Sequence, residues 1–274
     1  MNRPLIMGVV NVTPDSFSDG GVWFDTPSAV AQGRLLRAQG AQWVDVGGES
    51  TRPGALRVDE PEELRRVLPV VRELAADGVS VSIDTMRACV AAQAVAAGAT
   101  MVNDVSGGLA DPDMAAVVAD SDAQFVAMHW RGHSMQMQSR ATYADVVTQV
   151  CDELGERVLA LTAAGIPAHR IILDPGLGFA KTFEHNWALL RGLDQVATLG
   201  HRMLIGASRK GFLGRVGRGA DGVRDPHERD VATAVTSAYA ADAGVWCLRV
   251  HDVVATVDAL DVWAAWRGSE GAGA

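Results

Sequence analysis

Asp84, Asn103 and Asp174 each close a short apolar run, and together they offer carboxylate oxygens and one side-chain amide. A carboxylate can accept two N–H bonds side by side, so such a set suits a planar heterocycle that presents adjacent N–H groups. Arg52, Lys210, Arg249 and His251 follow or close other runs and supply positive charge. A phosphate or diphosphate needs that charge. Phe179 and Met128 add apolar surface for a flat ring. One end that reads a ring and another that reads an anion point to a heterocycle carrying a phosphate ester. A single strand-end Asp or Asn equally well satisfies nearby backbone groups. The same pattern in run after run is a stronger signal, of an enzyme or a small-molecule binder.

The elements that must position these residues are eight short apolar runs, at 5–10, 43–46, 79–83, 99–102, 125–128, 171–173, 203–205 and 245–250. Most are continuously apolar, as expected of strands covered on both faces in a parallel sheet. Ala-rich stretches with helical spacing alternate with them, including 64–74, 90–97, 114–119, 146–164, 187–199, 231–241 and 253–263. Gly40, Gly78, Gly98, Gly165, Gly200 and Gly244 each follow a helical stretch and precede a strand. A glycine there can adopt the left-handed conformation that ends a helix. This order predicts a (β/α)8 TIM barrel with its active site at the C-terminal ends of the strands. A doubly wound open sheet is the alternative, but no glycine-rich fingerprint follows the first strand. A single barrel domain over residues 1–267 is expected, with a frayed tail at 268–274. The loops 13–25 and 47–59 read as lids, and Trp187, Trp246, Trp263 and Trp266 as packing between helices and barrel.

The chain has 274 residues, 48% hydrophobic and 21% charged, enough to bury a full core without disulfides. Its 24 basic and 33 acidic residues give a net charge of −9. That balance argues against a general nucleic-acid binder while allowing a local anion pocket. Cys89, Cys151 and Cys247 are odd in number and far apart, so neither a disulfide framework nor a zinc site is expected. No apolar run approaches a membrane span or a secretory leader. A cytoplasmic protein with no membrane or nucleic-acid partner is the expectation.

The motifs Gly8-Val9-Val10-Asn11-Val12-Thr13-Pro14-Asp15-Ser16-Phe17 and Asp45-Val46-Gly47-Gly48-Glu49-Ser50-Thr51-Arg52-Pro53-Gly54 are long. They are followed in order by Ser82-Ile83-Asp84-Thr85, Asn103-Asp104-Val105-Ser106-Gly107-Gly108, Met128-His129 and Asp174-Pro175-Gly176-Leu177-Gly178-Phe179. Ser208-Arg209-Lys210 and Arg249-Val250-His251-Asp252 complete the set. In these motifs the chain resembles the dihydropteroate synthases over almost its whole length. The resemblance implies condensation of 6-hydroxymethyl-7,8-dihydropterin diphosphate with p-aminobenzoate to 7,8-dihydropteroate and diphosphate, in folate biosynthesis. It assigns the pterin to Asp84, Asn103, Asp174 and Lys210. The diphosphate falls to Asn11, Arg52, Arg249 and His251, with Mg²⁺ on Asn11. Thr51, Arg52, Pro53, Phe179 and Ser208 would line the p-aminobenzoate site. It further implies a homodimer and inhibition by sulfonamides. The chemistry expected is an SN1-like displacement through a pterin methylene cation, with Asp84, Lys210, Arg249 and His251 as the catalytic groups.

Pterin-dependent methyltransferases share a similar pterin pocket, but residues 49–54 and 208–210 favour p-aminobenzoate chemistry. A non-catalytic pterin binder would be expected to lose Asn11, Arg52, Lys210, Arg249 or His251 first, and all are present. A fused bifunctional enzyme would need a longer chain. His129 divides evenly between a pocket residue and a satisfied structural histidine. The stretch 130–142, with two Gln and two Met, has no reading.

Overall fold

In the computed structural model, residues 2–13, 25–50, 57–133, 137–218 and 222–268 are described. Eight parallel strands close on themselves in sequence order, and β1 pairs with β8 to seal the barrel. The strands are β1 Leu5–Asn11, β2 Trp43–Gly47, β3 Val81–Asp84, β4 Met101–Asp104, β5 Gln124–Met128, β6 Ile171–Asp174, β7 Arg202–Ile205 and β8 Cys247–Val250. Around them run α1 Thr26–Ala38, α2 Glu60–Ala76, α3 Ala88–Ala96, α4 Met114–Ala119, α5 Val146–Ala163, α6 Phe183–Arg191, α7 Leu193–Ala197, α8 Gly211–Gly214, α9 Asp230–Asp242 and α10 Val253–Trp266. The predicted (β/α)8 barrel is therefore the architecture.

Side-chain alternation along the strands builds the interior in layers. Met7, Trp43, Met101, Val126, Ile172, Leu204 and Cys247 form an apolar plug. Two residues further along come Val9, Asp45, Asn103, Met128, Asp174 and Arg249 on the same strands, with Gly206 just past β7. Because side chains two apart on a strand share a face, the plug lies directly beneath this second layer. The intervening residues, among them Ile6, Val10, Val44, Val46, Ile83 and Val102, belong to the large cluster that packs barrel against helices.

The helix-ending glycines behave as predicted: Gly40, Gly78, Gly98, Gly165, Gly200 and Gly244 all have positive φ. The residue after four of them donates its N–H back to a carbonyl five residues earlier: Ala41 to Leu36, Val79 to Leu74, Ala99 to Ala94 and Ile166 to Leu161. This is the helix-terminating pair of turns that a left-handed residue permits. It also explains why β3 and β4 start at Val81 and Met101, two residues later than expected. Val79 and Ala99 are still bonded to the preceding helix. β8 likewise starts at Cys247 rather than residue 245.

Three further differences stand out. The stretch 187–199 is two helices, α6 and α7, broken at Gly192; a Cβ there would meet Val147 Cγ1 at 2.7 Å. A one-turn helix, α8, follows β7 in a stretch to which the apolar spacing assigned no element. Trp266 does not pack against the barrel, being 87% exposed on the last turn of α10. The lid loops are described only at Thr13 and Asp25 and at 47–50 and 57–59, so their central portions lie outside the described residues.

Candidate active site

One cavity of about 540 Å³ opens at the C-terminal ends of the strands. Asn11, Asp84, Asn103, Asp174, Phe179, Ser208, Lys210, Arg249 and His251 all line it. Thr51, Arg52 and Pro53 lie outside the described residues. Thr13, Glu49, Ser50, Met137, Arg209 and Arg229 also reach the cavity. Met86, Val105 and Met128 form a small apolar cluster against which Phe179 packs, giving the cavity one greasy wall.

The floor is a carboxylate–guanidinium cluster. Arg249 Nε donates to Asp45 Oδ2 at 2.6 Å, and its Nη2 donates to Asp84 Oδ2 at 2.9 Å. The same Asp45 oxygen accepts a 3.0 Å bond from the Asn103 side-chain amide. Asp45, fully buried, thereby orients two cavity residues at once. Burial pushes the Asp84 carboxyl up; Arg249 opposes that, and the neighbouring Asp45 carboxylate adds to it. Arg249, expected to serve an anion, is thus shared with two carboxylates, Asp84 on the cavity lining and the fully buried Asp45.

Asp174 and Lys210 form the second centre. Asp174 Oδ1 accepts from the Gly176 N–H at 2.7 Å, which orients the carboxylate. Its pKa is raised by burial, against the pull of Lys210. Lys210 donates to the Leu177 carbonyl and lies with Nζ 4.6 Å from the centre of the Phe179 ring. Burial lowers it to about 8 despite Asp174. Its side chain lies so close to Gly178 that a Cβ there would come within 2.9 Å of Lys210 Cδ, and Gly178 has φ +79. Only glycine meets both demands.

Just past the ends of β8 and β7, the His251 backbone N–H donates to Ser208 Oγ at 3.1 Å, and that hydroxyl lies 2.9 Å from His251 Nδ1. With the hydroxyl donating to Nδ1, a neutral ring carries its proton on Nε2, as a donor for an anion. Arg209, held by two bonds to Asp230, and Arg229, bonded to the Arg209 and Arg224 carbonyls, brace the loop beyond.

Among the described residues no group of three or more His, Cys, Asp or Glu could hold a metal ion. Asn11, at the end of β1, brings a single neutral oxygen to the cavity. That donor set fits an ion of the magnesium type, which keeps waters and takes most of its other oxygens from substrate phosphates. It does not fit a protein-only metal cage.

Two features were not legible from motifs. Asp45 was visible as a strand-end residue, but its partner Arg249 lies 204 positions away. Lys181, just past the glycine-rich turn after β6, is buried to 4% exposure. The only hint was a lysine immediately after the apolar pair Phe179-Ala180. His129 is buried and bonded to Glu153 and Lys181, so it backs the cavity wall and is a satisfied structural histidine.

The pterin binding enzyme family matches residues 7–251 of the chain. A dihydropteroate synthase from Mycobacterium leprae is 55% identical over 263 residues, covering 95% of this chain and 93% of that protein. The Yersinia pestis dihydropteroate synthase, solved with a sulfonamide drug complex, superposes with a TM-score of 0.91 at 37% identity, covering 97% and 95% of the two chains. The Xanthomonas albilineans dihydropteroate synthase has been solved with 4-aminobenzoic acid, at TM-score 0.88, 44% identity and coverage of 97% and 94%. It has also been solved with 7,8-dihydropteroate.

Proposed function

The chain belongs to the pterin-binding enzymes, and among them to the dihydropteroate synthases; from that premise we propose how its cavity joins 6-hydroxymethyl-7,8-dihydropterin diphosphate to p-aminobenzoate. What supports the assignment of roles is one juxtaposition. The carboxylate, amide and lysine set of Asp84, Asn103, Asp174 and Lys210 shares a single cavity with Arg249, His251 and Asn11.

Asp174 accepts from adjacent N–H groups of the pterin, and Lys210 donates to the ring carbonyl. The diphosphate lies toward Asn11, Arg249 and His251, with Arg52 as a further cation. The pterin C–O bond breaks, its electron pair leaves with diphosphate, and a methylene cation remains. Arg249 and the Nε2–H of His251 stabilise the charge that develops on the leaving group. Asn11 would hold a Mg²⁺ ion, which would supply further neutralisation of the diphosphate charge. The Asp84 carboxylate faces the cation electrostatically. The p-aminobenzoate amine attacks with its own lone pair, and its surplus proton passes to diphosphate or water. Thr51, Arg52, Pro53, Phe179 and Ser208 form the p-aminobenzoate site, which a sulfonamide would occupy. Water kept from the cation favours this SN1-like course.

The same premise leads us to infer a homodimer in the cytoplasm. Val231, Val235 and Tyr239 repeat every fourth residue on α9 and are 76%, 51% and 73% exposed. Val262 and Trp266 are exposed on the adjacent α10, so an apolar surface covers this helix pair. No helix among the described residues is long and apolar enough to cross a membrane.

The decisive assay is diphosphate release from the pterin diphosphate with Mg²⁺, with and without p-aminobenzoate. Release that depends on p-aminobenzoate and is matched by dihydropteroate is the expected result. Tight pterin binding with no release would overturn the catalytic reading.

A further inference from the structure

The loop after β6 is held in an unusual shape. Within five residues Gly176, Gly178 and Ala180 all have positive φ, at +71, +79 and +48. For an alanine this left-handed conformation is disfavoured by about 1–2 kcal/mol, so other contacts must hold it. The contacts are specific. Tyr143 Oη donates to the Ala180 carbonyl at 3.1 Å, Gly178 N–H donates to Asn186 Oδ1 at 2.6 Å, and Lys181 Nζ donates to the Phe179 carbonyl at 3.1 Å.

Lys181 belongs to a relay that runs away from the cavity. Its Nζ lies 3.0 Å from His129 Nδ1, and His129 Nε2 lies 2.9 Å from Glu153 Oε2. Glu153 also accepts from Arg131 at 3.1 Å. Two bonds from Arg131, to its two oxygens, hold the Glu153 carboxylate ionised, so a neutral His129 must carry its proton on Nε2 to donate to it. Its Nδ1 is then an acceptor. The Phe179 carbonyl and the imidazole Nδ1 are both acceptors, and between them only a group with several N–H bonds satisfies both; an ammonium does. The group is sealed in: a Cβ on Gly176 would lie 3.4 Å from Lys181 Nζ.

We propose that Lys181 is a positioning residue for the p-aminobenzoate half of the site, acting through the Phe179 carbonyl to set the ring against the Lys210 ammonium. The proposal rests on the reading that Phe179 lines the p-aminobenzoate site. Nothing in it requires Lys181 to touch substrate, since it does not line the cavity described above. Burial lowers the Lys181 amine to about 7, the cost the fold accepts for a donor at this point.

The test is a steady-state cycle of Lys181→Met, Phe179→Leu and the double variant, with the KM of each substrate measured separately. Lys181→Met should raise the KM for p-aminobenzoate about tenfold, the effect of losing one well-placed hydrogen bond. The KM for the pterin diphosphate should stay within about twofold. The double variant should be no worse than Phe179→Leu alone, because both changes act on one ring. Glu153→Gln, at the half-exposed far end of the relay, should raise the same KM by a smaller factor and guards against a Lys181 variant that fails to fold. Equal rises in both KM values, or additive effects in the double variant, would make Lys181 a general stabiliser and overturn the proposal. If Phe179→Leu itself leaves the p-aminobenzoate KM unchanged, the site assignment fails instead.

Discussion

His129 carries a pH dependence whose sign follows from its surroundings. Burial, with Lys181 beside it, lowers its pKa from the usual 6.5 to about 4, against the pull of Glu153. Between those values the unfolded chain binds a proton that the native protein refuses. Stability should therefore be unaffected by this group above pH 6.5 and fall as the pH drops toward 4, by up to about 3 kcal/mol. Urea midpoints across that window should fall less steeply for His129→Gln than for the parent; parallel slopes would mean that the native histidine takes up its proton normally. The strand-end acids Asp84 and Asp174, and Arg249, could be picked out from sequence because each closes an apolar run. Their pairing could not. Arg249 meets Asp45 and Asp84 only because barrel closure sets β8 against β1 and leaves the three side chains over a common plug. The burial of Lys181 was equally hidden, because a lysine's exposure is decided by what folds over it.

The elements are punctuated by glycines whose surroundings differ, and this separates two costs. Gly78 has φ +76 with nothing near its missing side chain, whereas at Gly98, φ +114, a Cβ would approach Ala75 Cβ to 2.6 Å. Gly78→Ala should cost only the left-handed penalty, about 1 kcal/mol. Gly98→Ala should cost that plus a clash between α2 and the end of α3, on the order of 2–4 kcal/mol. Thermal midpoints of the two variants test the ordering, and equal losses would show that the helices part without strain. Periodicity located every strand and nearly every helix. It failed at 187–199, where the apolar pattern continues through Gly192 although α5 packs too closely there for any side chain. Sequence spacing carries no information about that third element. A buried ion-pair knot was likewise unreadable: Glu63 on α2 accepts from Thr85 at 2.6 Å and pairs with Arg87, which also holds Glu49 at 2.8 Å. It locks α2 to the ends of β2 and β3 beside the cavity.

For the whole molecule, the alternation of strands and helices made the barrel legible, and the polar residue after each strand marked the face that carries the site. The exposed apolar surface on α9 and α10 could be guessed only from the terminal tryptophans. If the proposed homodimer uses this surface, Tyr239→Glu should shift the sedimenting species from dimer to monomer at micromolar concentration with little loss of helical signal. An unchanged dimer would move the contact elsewhere, and a parent that sediments as a monomer would overturn the homodimer. The closure of the barrel has a temporal side as well. β1 is hydrogen-bonded to β8 across Leu5–Cys247, Ile6–Leu248, Met7–Arg249 and Gly8–Val250, so the first strand made waits for the last. During synthesis on the ribosome, one edge of β1 stays unpaired until residue 250 has emerged from the exit tunnel. Arg249 and His251 arrive with that closing strand. Premature termination anywhere upstream would leave a nascent chain with an open sheet, prone to association, and without Arg249 and His251. Structural completion and chemical competence are reached in the same step of translation.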